Sequence, residues 1–346
     1  MGETDRYIEE VVRKGDEGSE LLAALCAPTL KNSSHVDVLR QGMNGVAVLR
    51  IPEGYVVGVH SVGASPRARN MKNHAKSLVE RLVAGSREAG LTPLAITDVV
   101  DASVGDKQTV ETIGNSLVRA ADRFRLPIVN GELAILGGRV NCVANISGTM
   151  LSLAKKGKYP LGEWEVGGRE YVFFDPRGKA VFANSDGVGT KTDPHERAGS
   201  YHLAVDDFMA MILDDTIKLG ARARVVSGVV ETSGKIPFEK ILGRAIRIGD
   251  NNNLLAALYR ENMGNRLAGY KAGVPTYNLS GTVVSTIDEE ELRNPPVPRA
   301  GDRILALQGP VSNPRSNGIT AKREAMVRMF GNDWHETPIG REFLEF

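Results

Sequence analysis

The chain lacks several features that would assign it to a specialised class of protein. It has only two cysteines, Cys26 and Cys142, far apart and in no metal-binding or disulfide pattern, which fits a reducing cytoplasm. Basic and acidic side chains nearly cancel, at 43 and 42, and no dense basic tract occurs, so no nucleic-acid partner is expected. No apolar run approaches the ~18 residues of a membrane span, so no membrane partner is expected either. The remaining composition, 42% hydrophobic and 25% charged, is that of an ordinary globular protein.

One segment of the sequence occurs twice. Residues 46–61 read VAVLRIPEGYVVGVHS and residues 170–185 read EYVFFDPRGKAVFANS, each with two apolar runs around a Pro-x-Gly turn. The correspondence continues from 90–101 to 220–231 and from 145–152 to 278–285, while the offset drifts only from 124 to 133 residues. A spacing this steady predicts a duplicated domain, because chance similarity between strands would not keep register. The chain is therefore predicted to be a covalent pseudo-dimer.

Each copy is predicted to alternate strands with helices. A β-hairpin opens each copy, followed by a helix over 74–90 or 202–220 and a strand over 94–100 or 225–230. A second helix over 110–124 or 238–259 and closing strands complete each copy. This alternation indicates an α/β fold of the two-layer α+β type. Because a sheet covered by helices on one face has to bury the other face, we expect the two copies to pack sheet to sheet. The predicted result is a barrel-like sheet core with the helices outside.

The predicted organisation has four parts. Residues 1–44 form an N-terminal arm, 45–167 the first repeat and 168–290 the second repeat. Residues 291–346 hold a proline-rich linker at 295–298 and the start of a further, truncated domain. That start is predicted to contain a strand over 301–309, a loop over 309–318 and a helix over 320–330.

The sharpest local motif is SDGVGTK, residues 185–191. An apolar strand delivers Asp186 to its end, two glycines let backbone amides turn toward an anion, and Lys191 can neutralise that anion. The motif predicts a phosphate-binding loop made of Asp186, Gly187, Val188, Gly189, Thr190 and Lys191. A strand-ending turn with a locally neutralised charge is the structural alternative.

Three aspartates follow on the predicted helix after this loop. Asp207, Asp214 and Asp215 are spaced i, i+7 and i+8, so they share one face of the helix. That face is otherwise apolar, and carboxylates on it need a partner or a cation. With Asp186, they predict a Mg²⁺ site that carries a nucleoside triphosphate. A solvated acidic face is the alternative, and His195 after the loop is expected to be a surface histidine.

The run from SDGVGTK through VDDFMAMILDDTIKLGARARVVSGVVETSGK resembles the phosphoribosylformylglycinamidine cyclo-ligase (aminoimidazole ribonucleotide synthetase) family of purine biosynthesis. The resemblance is good over 170–330 and fainter over 45–152, and 301–318 resembles the opening of the family's second domain. It implies ATP and Mg²⁺ as cofactors and a small ribonucleotide-like substrate. The implied reaction phosphorylates an amide oxygen and then displaces it with an amine, which releases ADP and phosphate.

The resemblance also implies roles for individual residues. Asp186 and Asp215, with Asp207 or Asp214, would hold Mg²⁺ and the phosphates. Lys191 would stabilise the phosphoryl group during its transfer.

The two copies depart from the family pattern in complementary ways. The family's Gly-Gly-Glu-Thr-Ala motif survives in the first copy as NGELA, with Glu132 as its glutamate, whereas the second copy has Asn265 at the expected position. Conversely, the first copy lacks the phosphate loop and has Ala84 and Gly85 where the second has its aspartate pair. We therefore expect one composite site, to which the first copy contributes Glu132 as a catalytic residue. Independent drift, with Glu132 as a surface charge, is the alternative.

The sequence ends one helix into the family's second domain. This predicts either that further sequence, a partner chain or self-association supplies the rest of that domain, or that the function does not need it. Two functions stay open: an ATP-dependent ligase that closes a ring through a C–N bond, and a non-catalytic nucleotide-binding or assembly module that keeps only the fold.

Overall fold

The computed structural model describes residues 3–38, 47–65, 70–166, 169–217, 219–294, 299–306 and 319–345. Within these residues the α-helices are α1 (Glu3–Cys26), α2 (Met71–Glu88), α3 (Lys107–Arg123), α4 (Thr192–Ala198), α5 (Ala204–Ile217), α6 (Phe238–Asn251), α7 (Glu289–Arg293), α8 (Ile319–Phe330) and α9 (Pro338–Phe343). The strands are β1 (Val36–Val38), β2 (Ala47–Leu49), β3 (Tyr55–Gly63), β4 (Thr92–Ala102), β5 (Ile128–Ile135), β6 (Ala144–Lys155), β7 (Gly162–Val166), β8 (Arg169–Phe174), β9 (Ala180–Gly187), β10 (Arg222–Thr232), β11 (Leu255–Asn262) and β12 (Tyr277–Ile287).

The strands form two six-stranded sheets with the same internal order. The first sheet runs β5-β4-β6-β3-β8-β7 and the second runs β11-β10-β12-β9-β2-β1. In the first sheet the pairs β3–β6 and β6–β4 are antiparallel, and the pair β4–β5 is parallel. The corresponding pairs of the second sheet, β9–β12, β12–β10 and β10–β11, have the same directions. The predicted mixed α/β fold is confirmed. The prediction of a closed, barrel-like core is wrong, because the strands form two open sheets.

The two hairpins predicted around the Pro-x-Gly turns do not form, because the strands that flank each turn do not pair with each other. Turns do form at both Pro-x-Gly sites, where Gly54 has φ +81° and Gly178 has φ +76°, a region that favours glycine. The strands on either side of each turn, however, enter different sheets. Strand β2 pairs with β9 of the second sheet, and β8 pairs with β3 of the first sheet. The first half of the chain therefore lends β2, with β1 beside it, to the second sheet, and the second half lends β8 to the first sheet.

The two sheets pack face to face through a mixed interface. Apolar side chains from both sheets, including Val59, Leu151, Val225 and Val284, form one buried cluster. Hydroxyl pairs also bridge the sheets: Ser61 with Ser227 at 2.7 Å, Thr97 with Thr282 at 2.7 Å, and Ser147 with Ser280 at 2.6 Å. Because each buried hydroxyl finds a partner across the interface, the sheets can bury polar groups without the desolvation penalty of an unpaired one.

The halves also exchange reciprocal contacts. Val140 forms a β-bridge with Leu267, flanked by hydrogen bonds from Asn141 N to Arg266 O at 2.7 Å and from Ala268 N to Arg139 O at 2.9 Å. Each bond repeats the other with the two halves interchanged. Such isologous contacts are those of an approximate two-fold relation.

Helices cover the outer face of each sheet. Helices α1, α2 and α3 bury an apolar cluster against the first sheet, and α5 and α6 bury another against the second. Asn70 and Asp106 cap α2 and α3 through side-chain bonds to Asn73 N and Thr109 N. In the described parts of the chain, none of the helices is long and apolar enough to cross a membrane.

Two predicted elements differ from those observed. The helix predicted over 238–259 ends at Asn251, and Leu255–Asn262 is strand β11; the break lies at Asn253, whose φ is +51°. Residues 301–306, expected to be part of a strand, have no regular structure, whereas the helix expected after them is α8. The predicted linker at 295–298 and the predicted loop at 309–318 lie outside the described residues.

Candidate functional site

The SDGVGTK loop lies where β9 ends and α4 begins. Gly189 has φ +60° and opens a short 3₁₀ turn that runs to Lys191, immediately before α4. Val188 N donates to Leu279 O at 2.8 Å, and Asp186 Oδ1 accepts from Gly187 N at 2.6 Å. The strand end and the turn agree with the prediction from the motif, whereas helix α4 directly after the loop was not predicted.

Lys191 is the cation of the site, and it is almost fully buried, at 6% exposure. Burial lowers the pKa of Lys191, while the charges of Asp207 and Asp186 oppose that shift. Its ammonium contacts the Met211 sulfur, which is a weak acceptor. A phosphate oxygen would be a much stronger partner for this side chain.

Glu132 approaches the loop from the other sheet. It lies on β5, where Ser19 Oγ donates to its Oε1 at 3.4 Å. Burial and the charge of Asp186 raise the pKa of Glu132 to about 8, and Asp215 adds to the shift. Nearby, Asn130 Oδ1 accepts from Ser185 N at 2.7 Å and ties β5 to β9. The structure therefore brings Glu132 together with Asp186 and Asp215, although these residues belong to different halves of the chain.

Asp186, like Glu132, has a raised pKa. Burial raises the pKa of Asp186 to about 6; the Gly187 amide and Lys191 oppose the shift, and Asp215 strengthens it. Carboxylates whose pKa values rise because they are buried close to one another favour either protons or a cation. The oxygen-only donor set fits a hard cation such as Mg²⁺.

The aspartates of α5 are not equivalent. Asp207 Oδ2 lies 2.9 Å from His195 Nε2, and Asn184 Nδ2 donates to Asp215 Oδ2 at 3.4 Å. Asp214 is exposed, so the structure does not bring it to the other two. His195, expected at the surface, is instead buried at 3% exposure and supports Asp207.

The carboxylates are near one another without forming a ready-made coordination sphere. Among the residues that the structure describes, the only trio of His, Cys, Asp or Glu with ligand atoms within 4.8 Å of one another is Asp333, His335 and Glu336. Side-chain movement would therefore have to draw Asp186, Asp215 and Glu132 together around a Mg²⁺ ion.

A buried ion network, which sequence reasoning missed, fixes the loop to the first half of the chain. Arg139, in the turn after β5, lies 2.7 Å from Glu196 and 3.5 Å from Asp193, both on α4. Arg139 Nη2 also donates to Thr192 Oγ1 at 2.8 Å and to Thr276 Oγ1 at 2.9 Å. These partners are 53 to 137 residues away in sequence, so no local pattern could have shown the network.

Strand register corrects one predicted correspondence between the copies. Glu132 pairs with Val99 in the first sheet, and Tyr259 pairs with Val229 in the second. Val99 and Val229 are matched positions of the predicted repeat, so within that repeat Tyr259 is the counterpart of Glu132. The assignment of Asn265 to that position is wrong, because the offset along β5 and β11 is 127 residues and not 133.

No protein-family model matches the chain. It is 30% identical over 150 residues to the phosphoribosylformylglycinamidine cyclo-ligase of Synechococcus sp. (strain RCC307), which is 42% of this chain and 41% of that protein. It is 26% identical over 182 residues to the cyclo-ligase of Pyrococcus furiosus, 52% of each chain. The chain thus spans about half or less of the length of these curated relatives. The resemblance to cyclo-ligases is confirmed at this level.

Solved structures share the fold at low identity. The Thermotoga maritima PurL protein complexed with AMPPCP has a TM-score of 0.51 and 8% identity over 79% of this chain and 80% of its own. Phosphoribosylformylglycinamidine synthase II from Thermotoga maritima has a TM-score of 0.51 and 8% identity over 83% of each chain. At this identity the likeness concerns the fold alone.

Proposed function

We propose that the chain binds Mg²⁺-ATP at Asp186–Lys191 and uses it in a cyclo-ligase-like ring closure of purine biosynthesis. One observation carries this proposal. Strand β5, which carries Glu132, is tied to the loop strand β9 by the bond from Ser185 N to Asn130 Oδ1 at 2.7 Å. Glu132 is thereby close enough to Asp186 and Asp215 for their charges to raise its pKa, and the buried Lys191 interacts with Asp186. The similarity to cyclo-ligases and the ATP-analogue complex of the PurL protein support the choice of nucleotide and reaction.

The proposed reaction has two steps. In the first, the amide oxygen of phosphoribosylformylglycinamidine takes the γ-phosphoryl group of ATP, and ADP leaves. In the second, the amine nitrogen attacks the activated amide carbon, the C–O bond breaks, and phosphate leaves as the ring closes.

The residues of the site have separable tasks in these steps. Asp186, Asp215 and Glu132 would hold the Mg²⁺, whose charge offsets that of the phosphates. Lys191 exchanges its weak sulfur contact for the transferring phosphoryl group and neutralises charge that develops there. Burial of this lysine strengthens the interaction, because fewer water molecules screen it.

We also infer that the chain is a tandem duplication and that one composite nucleotide site results. The two sheets have the same strand order, exchange equivalent strands and make reciprocal contacts. Because the chain spans about half of its curated relatives, the remaining walls of the substrate site are proposed to come from a further domain, in the same protein or in a partner.

Calorimetry with Mg²⁺-ATP tests the binding proposal. Asp186→Ala should weaken binding at least tenfold, because removing one ligand of a shared cation costs more than the ~1 kcal/mol of a typical substitution. Asp214→Ala is the matched control, since Asp214 is an exposed carboxylate on the neighbouring helix, and its affinity should stay within twofold of the wild type. Equal binding by Asp186→Ala and the wild type would refute the assignment.

A non-catalytic nucleotide-binding or assembly module is the second candidate. The separation of the acidic ligand atoms and the partial span of the relatives favour it. Release of ADP in the presence of phosphoribosylformylglycinamidine distinguishes the two functions, because the module binds ATP but does not consume it.

A further inference from the structure

Two acidic side chains are buried in the interface between the sheets, one from each sheet. Asp101 on β4 and Glu231 on β10 occupy matched positions of the predicted repeat, and they are exposed by only 1% and 0%. Each lies opposite an asparagine of its own sheet in the strand register, Asp101 opposite Asn145 and Glu231 opposite Asn278. Neither the proposed reaction nor the Mg²⁺-ATP site uses these four side chains.

The two asparagines reach across the interface to the acid of the other sheet. Asn278 Nδ2 donates to Asp101 Oδ2 at 2.6 Å and lies 3.4 Å from Glu231 Oε2. In the reciprocal direction, Asn145 Nδ2 donates to Glu231 Oε2. Because one amide nitrogen contacts both acids, the two carboxyl groups are close neighbours.

Each of the four side chains also has one oxygen atom that lacks a hydrogen-bond partner among the described residues. These atoms are Asp101 Oδ1, Glu231 Oε1, Asn145 Oδ1 and Asn278 Oδ1, and all are closed off from solvent. If both acids are ionised, all four atoms are unpaired acceptors, which is costly in a buried site. Two protons remove this cost, because each protonated carboxyl group supplies a donor for one amide oxygen.

Strand register supplies an acceptor for each proton. Side chains directly opposite each other on neighbouring strands have Cβ atoms about 5 Å apart, so each acid is within reach of the asparagine of its own sheet. A proton on Asp101 Oδ1 then donates to Asn145 Oδ1, and a proton on Glu231 Oε1 donates to Asn278 Oδ1. Together with the two observed bonds between the sheets, these complete a closed ring of four hydrogen bonds.

The surroundings of the two acids favour their protonated forms. Burial raises the pKa of Asp101 to about 7; the bond from Asn278 opposes this shift and the charge of Asp186 adds to it. Burial also raises the pKa of Glu231 to about 8, and the charges of Asp101 and Glu261 add to the shift, which the asparagine bonds oppose. Each acid therefore keeps its proton at a pH at which an exposed carboxyl group has lost it.

The other charged groups near Glu231 are already paired or neutral. Glu261 is paired with Arg81, whose Nη2 lies 2.5 Å from its Oε1. Burial raises the pKa of the Cys142 thiol; Arg266 opposes that shift and Glu231 adds to it, so the thiol is neutral. Ionisation of both acids therefore leaves two like charges buried side by side.

We propose that Asp101 and Glu231 form a proton-dependent latch between the two sheets, closed when both acids are protonated and open when both are ionised. In the closed latch, the ring of four hydrogen bonds joins the two halves of the chain. In the open latch, two adjacent carboxylates repel each other across the same interface. Because both pKa values are higher in the folded than in the unfolded chain, the stabilisation is fully present below pH about 4. It is lost as the pH rises through about 7 and about 8.

The double variant Asp101→Asn with Glu231→Gln tests the latch. An amide has the shape of a protonated carboxyl group, and its N–H donates where the O–H does, so the ring is kept at every pH. Urea unfolding of the variant and the wild type is compared from pH 4 to 9. Between pH 5 and 7 the unfolding equilibrium constant of the wild type should rise relative to that of the variant by about tenfold per pH unit for each acid. Above pH about 8 the ratio should level off.

Single variants show whether the two acids act as a pair. Asp101→Asn should lower the pH at which Glu231 loses its proton, because the charge of Asp101 contributes to the raised pKa of Glu231. Asp98→Asn is the matched control, since Asp98 is another buried acid on β4 whose pKa is raised by burial alone. It should leave the ionisation of Glu231 unchanged.

Infrared spectroscopy gives a direct reading that does not require any variant to fold. A protonated carboxyl group has a C=O band that a carboxylate lacks, and the wild type should show this band at pH 6 and lose it by pH 9. The pair is refuted by parallel unfolding curves of the wild type and the double variant, by absence of the band at pH 6, or by equal effects of Asp98→Asn and Asp101→Asn on Glu231. Because no Mg²⁺ or ATP is present, these outcomes are independent of the proposed ligase function.

Discussion

Asp98 offers a quantitative test of how the first half of the chain is built. It lies on β4, fully buried, and neither carboxylate oxygen has a hydrogen-bond partner in the described part of the chain. Its Oδ1 packs against Gly131, and its charge contributes to the raised pKa of the buried Cys26. Burial raises the pKa of Asp98 from 3.8 to about 7. Asp98 therefore faces the helices in its neutral form at low pH and resists ionisation as the pH rises.

The sign and size of the effect follow from linkage. Because the pKa of this acid is higher in the folded state than in the unfolded state, its contribution to stability is fully present below pH about 4. That contribution is lost as the pH rises through 7. The difference between 3.8 and about 7 corresponds to about 4 kcal/mol of unfolding free energy. Asp98→Asn has nearly the same shape and cannot ionise, so it should be more stable than the wild type by up to about 4 kcal/mol at pH 8. At pH 4 the two proteins should differ little.

Urea unfolding at several pH values between 4 and 8 measures this difference. The variant retains the slope that Asp101 and Glu231 contribute, since burial raises their pKa values as well, to about 7 and about 8. Asp106→Asn is the control, because hydrogen bonds with Thr109 lower the pKa of that exposed helix cap and its linkage has the opposite sign. An Asp98→Asn variant that gains no stability at pH 8 would refute the reasoning.

Three further predictions concern the nucleotide site. Glu132→Gln should weaken Mg²⁺-ATP binding at least tenfold in calorimetry, although it lies in the other half of the chain; unchanged affinity would show that the site is not composite. The same titrations should saturate at one nucleotide per chain, and a stoichiometry of two would contradict the single site. Arg139→Met should cost about 3–5 kcal/mol in urea unfolding, because it leaves Glu196 buried without its cation; a loss below about 1 kcal/mol would show that the network carries little stability.

Local patterns allowed much of the fold to be predicted, and non-local pairing explains the errors. Helices α2 and α5 and strands β4 and β10 lie where periodicity placed them, since each is encoded by its own side chains. The two Pro-x-Gly turns were also correctly located. A turn signal, however, does not choose a strand's partner, and here β2 and β8 each cross to the opposite sheet. That choice is made by packing between residues far apart in sequence.

The candidate site likewise has one part that could be predicted from the sequence and another that could not. The loop from Asp186 to Lys191 is a continuous motif and could be found in the sequence. The position that corresponds to Glu132 could not, because the offset between copies falls to 127 residues along β5 and β11, and only the hydrogen-bond ladder shows Tyr259 there. Arg139 and its partners carry no linear signal at all.

If the chain is the tandem duplication that we infer, the face-to-face arrangement of the sheets gives a physical reason for the complementary differences between its two copies. Each pocket takes its loop position from one half and its β5-type strand from the other: Asp186 lies with Glu132, and Val62 lies with Tyr259. If both pockets began with carboxylates, loss of the aspartates in the first half would leave a glutamate at position 259 with no cation to bind. A buried carboxylate without a cation is costly, so its replacement by tyrosine relieves a penalty. Glu132 does not carry this penalty, because Asp186 and Asp215 in its own pocket can hold a cation together with it. On this hypothesis the carboxylates are lost or kept pocket by pocket and not copy by copy, as expected if each pocket is shared between the two halves.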